Sequence, residues 1–141
     1  MADLAGLDAP IAALWATRSI WTGRILSGLA IAFFVMDGAM KLVQPKVVVD
    51  ATAAIGWPSD PATLAALGTV LLASTVLYAI PRTSVLGAIL LTGFLGGAVA
   101  SHVRHSDPLF THDLFGVYLG VLVWGGLWFR DSRVRALMPV S

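Results

Sequence analysis

From Pro61 to Pro81 the chain runs 21 residues without a charged side chain. After Arg82 it runs another 19, from Thr83 to Ser101. A helix of the first length rises about 31 Å, close to the ~30 Å hydrocarbon thickness of a bilayer. No other feature constrains the fold as much. Hydrocarbon offers the backbone no hydrogen-bond partners, so runs of this kind cross a membrane as helices. Residues 20–43 and 112–130 complete the pattern, with their charges near the ends. The expected fold is all-α, a bundle of four transmembrane helices at 20–43, 61–81, 83–104 and 112–130. Short connections make neighbours antiparallel, and residues 1–141 read as a single integral membrane domain.

Composition excludes several classes. Hydrophobic residues make up 57% of the chain and charged ones 12%, about half the ~25% of soluble domains. A net charge of +1 provides no basic field for phosphates, so nucleic acid is not an expected partner. The chain has no cysteine, which removes a thiol relay, an iron–sulfur centre and covalent c-type haem. All eight acids are Asp.

The boundaries carry their own signals. Asp60 before Pro61 reads as an N-cap followed by an N1 proline. Thr83 or Ser84 can cap the third helix and Thr111 the fourth, with Asp113 in its first turn. The connection 44–59, "QPKVVVDATAAIGWPS", is too polar to span; part of it fits a short interfacial helix with Trp57 at headgroup level. Residues 1–17 hold Asp3, Asp8 and Pro10 and lack a basic start, so they do not read as a signal peptide. Six Lys and Arg fall on the side of the termini and three on the other side. The positive-inside rule then puts both termini in the cytoplasm, with the arginines of the tail at anionic lipid.

The polar residues gather on the outward side. "SHVRHSDPLFTHD", residues 101–113, contains all three histidines. Asp37 and Lys41, four apart, share a helix face, and an acid at that depth needs a partner. The expected polar site is Asp37, Lys41, Ser101, His102, Arg104, His105, His112 and Asp113. Gly93 and Gly97 on the third helix, and Gly116 and Gly120 on the fourth, form small-residue rows expected to bring helices close together. No metal site is expected: His102, His105 and His112 are a permissive trio without a metalloprotease pattern, and no Glu is available for a di-metal bundle. Bis-histidine haem would need histidines facing each other mid-membrane. No nucleophile motif appears.

The segments "DGAMKLVQPKVVVDATAAIGWP", "DPATLAALG" and "LLTGFLGGAVASHVRHSDPLFTHDLFGVYLGVLVWGGLWFRD" resemble the DoxX-like membrane proteins over about residues 24–139. The resemblance implies a four-helix protein of the bacterial inner membrane. The family takes its name from a subunit linked to a thiosulfate:quinone oxidoreductase. His102, Arg104, Pro108 and His112 match its pattern as sequence features. Three readings follow. The first is an accessory or ligand-binding subunit whose polar cluster takes a quinone-like or other lipophilic molecule, with the phenylalanines 33, 34, 94, 110 and 115 and Tyr118 available to line an apolar pocket. The second is a membrane enzyme using the His/Asp cluster for quinone-linked redox or acid–base chemistry. The third is a structural subunit of a larger membrane complex. Expected partners are the bilayer, a quinone-like small molecule and other membrane subunits.

Overall fold

The computed structural model describes residues 5–105 and 114–138, with side chains from Thr17 onward. Among these residues every regular element is a helix: α1 (Ala5–Val43), α2 (Lys46–Ala54), α3 (Pro61–Ala79), α4 (Ser84–His105), α5 (Phe115–Arg130) and α6 (Ser132–Leu137). Three helices are long and apolar enough to cross a membrane: the Thr17–Val43 part of α1, α3 and α4. α5 is equally apolar but has 16 residues. The first expected span is thus the C-terminal part of a longer helix that begins at Ala5.

Local chemistry sets the helix ends. Asp60 Oδ1 accepts from the Ala62 and Thr63 amides at 3.1 Å each, and Pro61 opens α3. The helix stops at Ala79, because Ile80 is extended ahead of Pro81. Thr83 and Ser84 do something other than the expected capping of α4. Their hydroxyls turn back and donate to Leu77 O (2.8 Å) and Pro81 O (3.2 Å), satisfying carbonyls at and just beyond the end of α3. The arginines of the tail have similar work. Arg135 donates to Trp128 O and Phe129 O, Arg133 to Pro81 O, and Arg130 to Tyr78 O. Helix C-termini leave free carbonyls that cations suit well. Asp131 ends α5, caps α6 through the Arg133 amide and pairs with the Arg133 side chain at 2.8 Å. That bonding holds the Asp131 carboxyl below its usual range and the Arg133 guanidinium above its own.

α1 lies between α3 and α5, and α4 closes the ring opposite it. The pairings are antiparallel. Ser19 meets Phe129 and Phe33 meets Phe115 across α1 and α5, while Trp124 reaches Thr92 across α5 and α4. The core is built on Phe34, Leu71, Tyr78, Leu91, Val123 and Leu127, all buried. At its centre the Tyr78 hydroxyl donates to Val123 O at 2.8 Å, so Ser27 Oγ, 2.9 Å away, is the donor to Tyr78.

Close helix approach falls on glycines outside the two expected rows. A Cβ on Gly23 would lie 2.7 Å from Arg130 N and 2.8 Å from Gly126 O. One on Gly68 would lie 2.9 Å from Gly38 O, and one on Gly87 would run into the Tyr78 backbone. Of the expected positions, Gly116 does pack tightly, against Val99 and Leu95. Gly93, Gly97 and Gly120 have no such neighbour within 4 Å. Fourfold spacing identifies a helix stripe, and small residues on a stripe can make room as readily as contact.

Candidate functional site

The room that Gly93 and Gly97 make belongs to a cavity of about 550 Å³ at the end of the bundle opposite α6. Its walls are apolar and aromatic, from Phe33 and Phe34 on α1, Phe94 on α4, and Phe115 and Leu119 on α5. Phe33 sits edge-on to Phe34 and Phe115, with ring centroids 5.8 and 5.3 Å apart. Its polar side chains include Asp37, Lys41, Ser101 and His102.

Asp37 and Lys41 form a two-pronged ion pair, with Lys41 Nζ 2.6 and 2.7 Å from the two carboxylate oxygens. The pair follows from the i,i+4 spacing on α1, and it keeps a charged carboxylate partnered at membrane depth. Both side chains keep some exposure, 32% for Asp37 and 17% for Lys41. The pair therefore lines the cavity and can still offer hydrogen bonds into it: Lys41 Nζ has a third proton and each carboxylate oxygen a second lone pair.

The connection between the first two spans forms the cover. α2 contributes Val47, Val48, Ala51 and Thr52 to the cavity, and Ile55 just after it continues the face. That is the i, i+1, i+4, i+5, i+8 pattern of a single helical face. Trp57 follows and is bonded across to α4. Its indole donates to Ser101 Oγ at 2.8 Å, and Ser101 in turn donates to Gly97 O at 2.8 Å. This bond fastens the cover to α4. The segment is entered through Gln44 at φ 56° and left through Gly56 at φ 79°. Positive φ is ordinary for glycine and uncommon for glutamine; the Gln44 side chain is fixed by donating to Pro61 O at 2.9 Å. The Arg104 guanidinium lies against Gly56, 3.1 Å from where a Cβ would be.

Of the expected polar residues, Asp37, Lys41, Ser101 and His102 share the cavity. Arg104 lies beside the cover, outside the lining. His105 is exposed at the last turn of α4 and does not line the cavity. His112 and Asp113 lie outside the described residues, as do Thr111 and Phe110. The histidine trio considered for a metal is therefore not all in view, and the described residues form no group of His, Asp or Glu able to hold an ion. Tyr118 is 49% exposed and does not line the cavity. The face of α2 and the role of Trp57 were missed in the sequence; the apolar spacing 47, 48, 51, 55 was the available signal.

Apolar helices of membrane length in an antiparallel bundle, with a covered cavity at one end, define a small multi-pass helical membrane protein. The chain belongs to the DoxX-like family, whose model matches residues 25–126. That segment holds most of the first span-length helix, all of α3 and α4, the cover and every lining residue of the cavity. No curated protein and no solved structure matches the chain.

Proposed function

We propose that this protein is a ligand-binding subunit that holds a lipophilic molecule with a hydrogen-bonding head, of quinone type, in the cavity under α2. One observation carries the reading: an apolar cavity of about 550 Å³ has a charged pair, a serine and a histidine among its lining residues. Small-molecule sites share this composition of apolar walls with a few convergent polar groups. A flat aromatic head would slide between Phe33, Phe94 and Phe115, and a carbonyl oxygen on it would accept from Lys41. The Trp57–Ser101 bond would hold the cover down over the ligand.

The proposal includes the membrane arrangement. α5 supplies a fourth crossing, its 16 residues rising about 24 Å. With four crossings the six-to-three split of Lys and Arg puts both termini in the cytoplasm and the cavity at the outer leaflet of a bacterial inner membrane. Cysteines introduced at Ser106 and Ser141 test the orientation in this cysteine-free chain. An impermeant thiol reagent on intact cells should label the first and spare the second.

The binding test uses a short-chain ubiquinone titrated into the detergent-solubilised protein, read by quenching of tryptophan fluorescence. Saturable quenching that is largely lost in Trp57→Phe, with native melting retained, is the expected result. Linear quenching that is unchanged in the variant would count as partition into detergent and would sink the reading.

A further inference from the structure

A second, smaller cavity lies at the opposite end of the bundle, and we propose that it binds a phosphate group. It has a volume of about 170 Å³, enough for one phosphate and a little water on the scale of ~30 Å³ per water molecule. Arg24 on α1, Ser84 at the start of α4, and Arg130 and Asp131 at the end of α5 line it, together with Ile20, Leu127 and Pro81.

Its charge balance favours an anion. Asp131 is already engaged by Arg133, at 3.1 Å to Oδ1 and 2.8 Å to Oδ2, and by the Arg133 amide. Among the described residues Arg24 and Arg130 form no ion pair, and Arg130 shares only a longer-range attraction with Asp131. The Arg130 guanidinium carbon sits 4.9 Å over the Tyr78 ring, and its Nη2 donates to Tyr78 O at 2.9 Å. Among the described residues, its Nε is the one buried side-chain nitrogen or oxygen without a hydrogen-bond partner. The Arg130 side chain lines the cavity and supplies a positive charge to it. The Arg24 guanidinium lies 5.4 Å from the Trp21 ring, on an exposed side chain. The first turn of α4 adds the positive end of a helix dipole beside Ser84. Two guanidinium groups and a helix start around one small space suit a tetrahedral oxyanion.

Arg24 and Lys41 are 17 residues apart on one continuous helix, about 26 Å, so this cavity sits a bilayer thickness from the first. That is the depth of headgroups, and the phosphate can be that of a lipid or a free ion. Thermal unfolding and native mass spectrometry of the full chain in a neutral maltoside detergent separate the two. Phosphatidylglycerol, the phosphate-free lipid diacylglycerol and inorganic phosphate are added in turn to the native chain, Arg24→Gln and Arg130→Lys. Arg24 makes no described backbone contact, so Arg24→Gln keeps the fold if Arg130→Lys does not. The expected result is that phosphatidylglycerol stabilises the native chain more than diacylglycerol does. Arg24→Gln should bind it about tenfold more weakly, the loss of one charge-assisted hydrogen bond. The same pattern with inorganic phosphate would assign the site to the free ion. Equal stabilisation by both lipids with no effect of phosphate, or an undiminished response in Arg24→Gln, would overturn the site.

Discussion

Gly126→Ala places one methyl group where α1 and α5 already touch. The new Cβ would lie 2.5 Å from Ser27 Oγ, 2.9 Å from Ser27 N and 3.2 Å from Gly23 O. Two of these three atoms are backbone, so no rotamer change clears them; the helices must move apart. Overpacking of this kind costs about 1–3 kcal/mol. The displaced Ser27 also gives the Tyr78 hydroxyl its hydrogen bond, and loss of a buried bond adds about 1 kcal/mol. Against this, Ala gains about 0.5–1 kcal/mol over Gly in a helix. The net expectation is about 1–3.5 kcal/mol of destabilisation. Gly97→Ala is the control: its methyl has nothing within 4 Å and enters the large cavity. It should be neutral or stabilise by up to about 1 kcal/mol. Both variants are measured by reversible unfolding in mixed micelles with rising denaturing detergent. If Gly126→Ala matches the native chain, or Gly97→Ala is the worse of the two, the division into contact glycines and cavity glycines is wrong.

Lys41→Met removes the cation beside Asp37 and should destabilise the chain by about 1–3 kcal/mol, the figure reduced because the carboxylate is partly exposed. Adding Asp37→Asn should recover most of the loss, and a double-mutant cycle measures the coupling. Tyr78→Phe should cost about 1–2 kcal/mol, because Val123 O loses its side-chain donor and Ser27 its acceptor. In a Ser27→Ala background the cost should shrink. The Asp60 carboxyl is held below its ordinary value, first by the Thr63 hydroxyl and then by backbone amides. A lowered folded-state value means that its stabilisation is present above the unfolded value, 3.8, and fades as pH falls through the folded one. Melting in detergent should therefore drop more between pH 5 and about 3 in the native chain than in Asp60→Asn.

How far the sequence reaches differs from element to element. The Asp60–Pro61 start of α3 was legible because the cap is made within four residues, and local chemistry decides it. The Asp37–Lys41 pair was legible for the same reason. The glycines were legible as small residues and illegible as contacts. Gly23 and Gly126 are far apart in sequence, and only the docking of α1 on α5 shows that they meet. Trp57 had two plausible partners, the headgroups and a neighbouring helix. An aromatic residue near a span end favours the first, and Ser101 lies 44 residues away, where no local pattern could point. The arginines of the tail show the same limit: charge counting assigns them to lipid, whereas the carbonyls of Trp128 and Phe129 compete for Arg135 at closer range.

The two ends of the bundle are built to different tightness, and this bears on which one binds a bulky molecule. At the α6 end, arginines tie α3 and α5 together through backbone carbonyls, and Gly23 and Gly126 bring α1 onto α5. At the other end, Gly93 and Gly97 line the large cavity together with α2, and hydrogen bonds from Trp57 and Gln44 secure the cover. A helix held by few contacts opens at lower free energy than the core around it. Trp57→Phe should accordingly speed both association and release of a cavity ligand, since the latch is lost in either direction. Stopped-flow with a lipophilic probe whose own fluorescence changes on leaving water would measure both rates in the native chain and in the variant, without a tryptophan signal. A change in release alone would mean that Trp57 holds the ligand directly and that the cover does not govern entry.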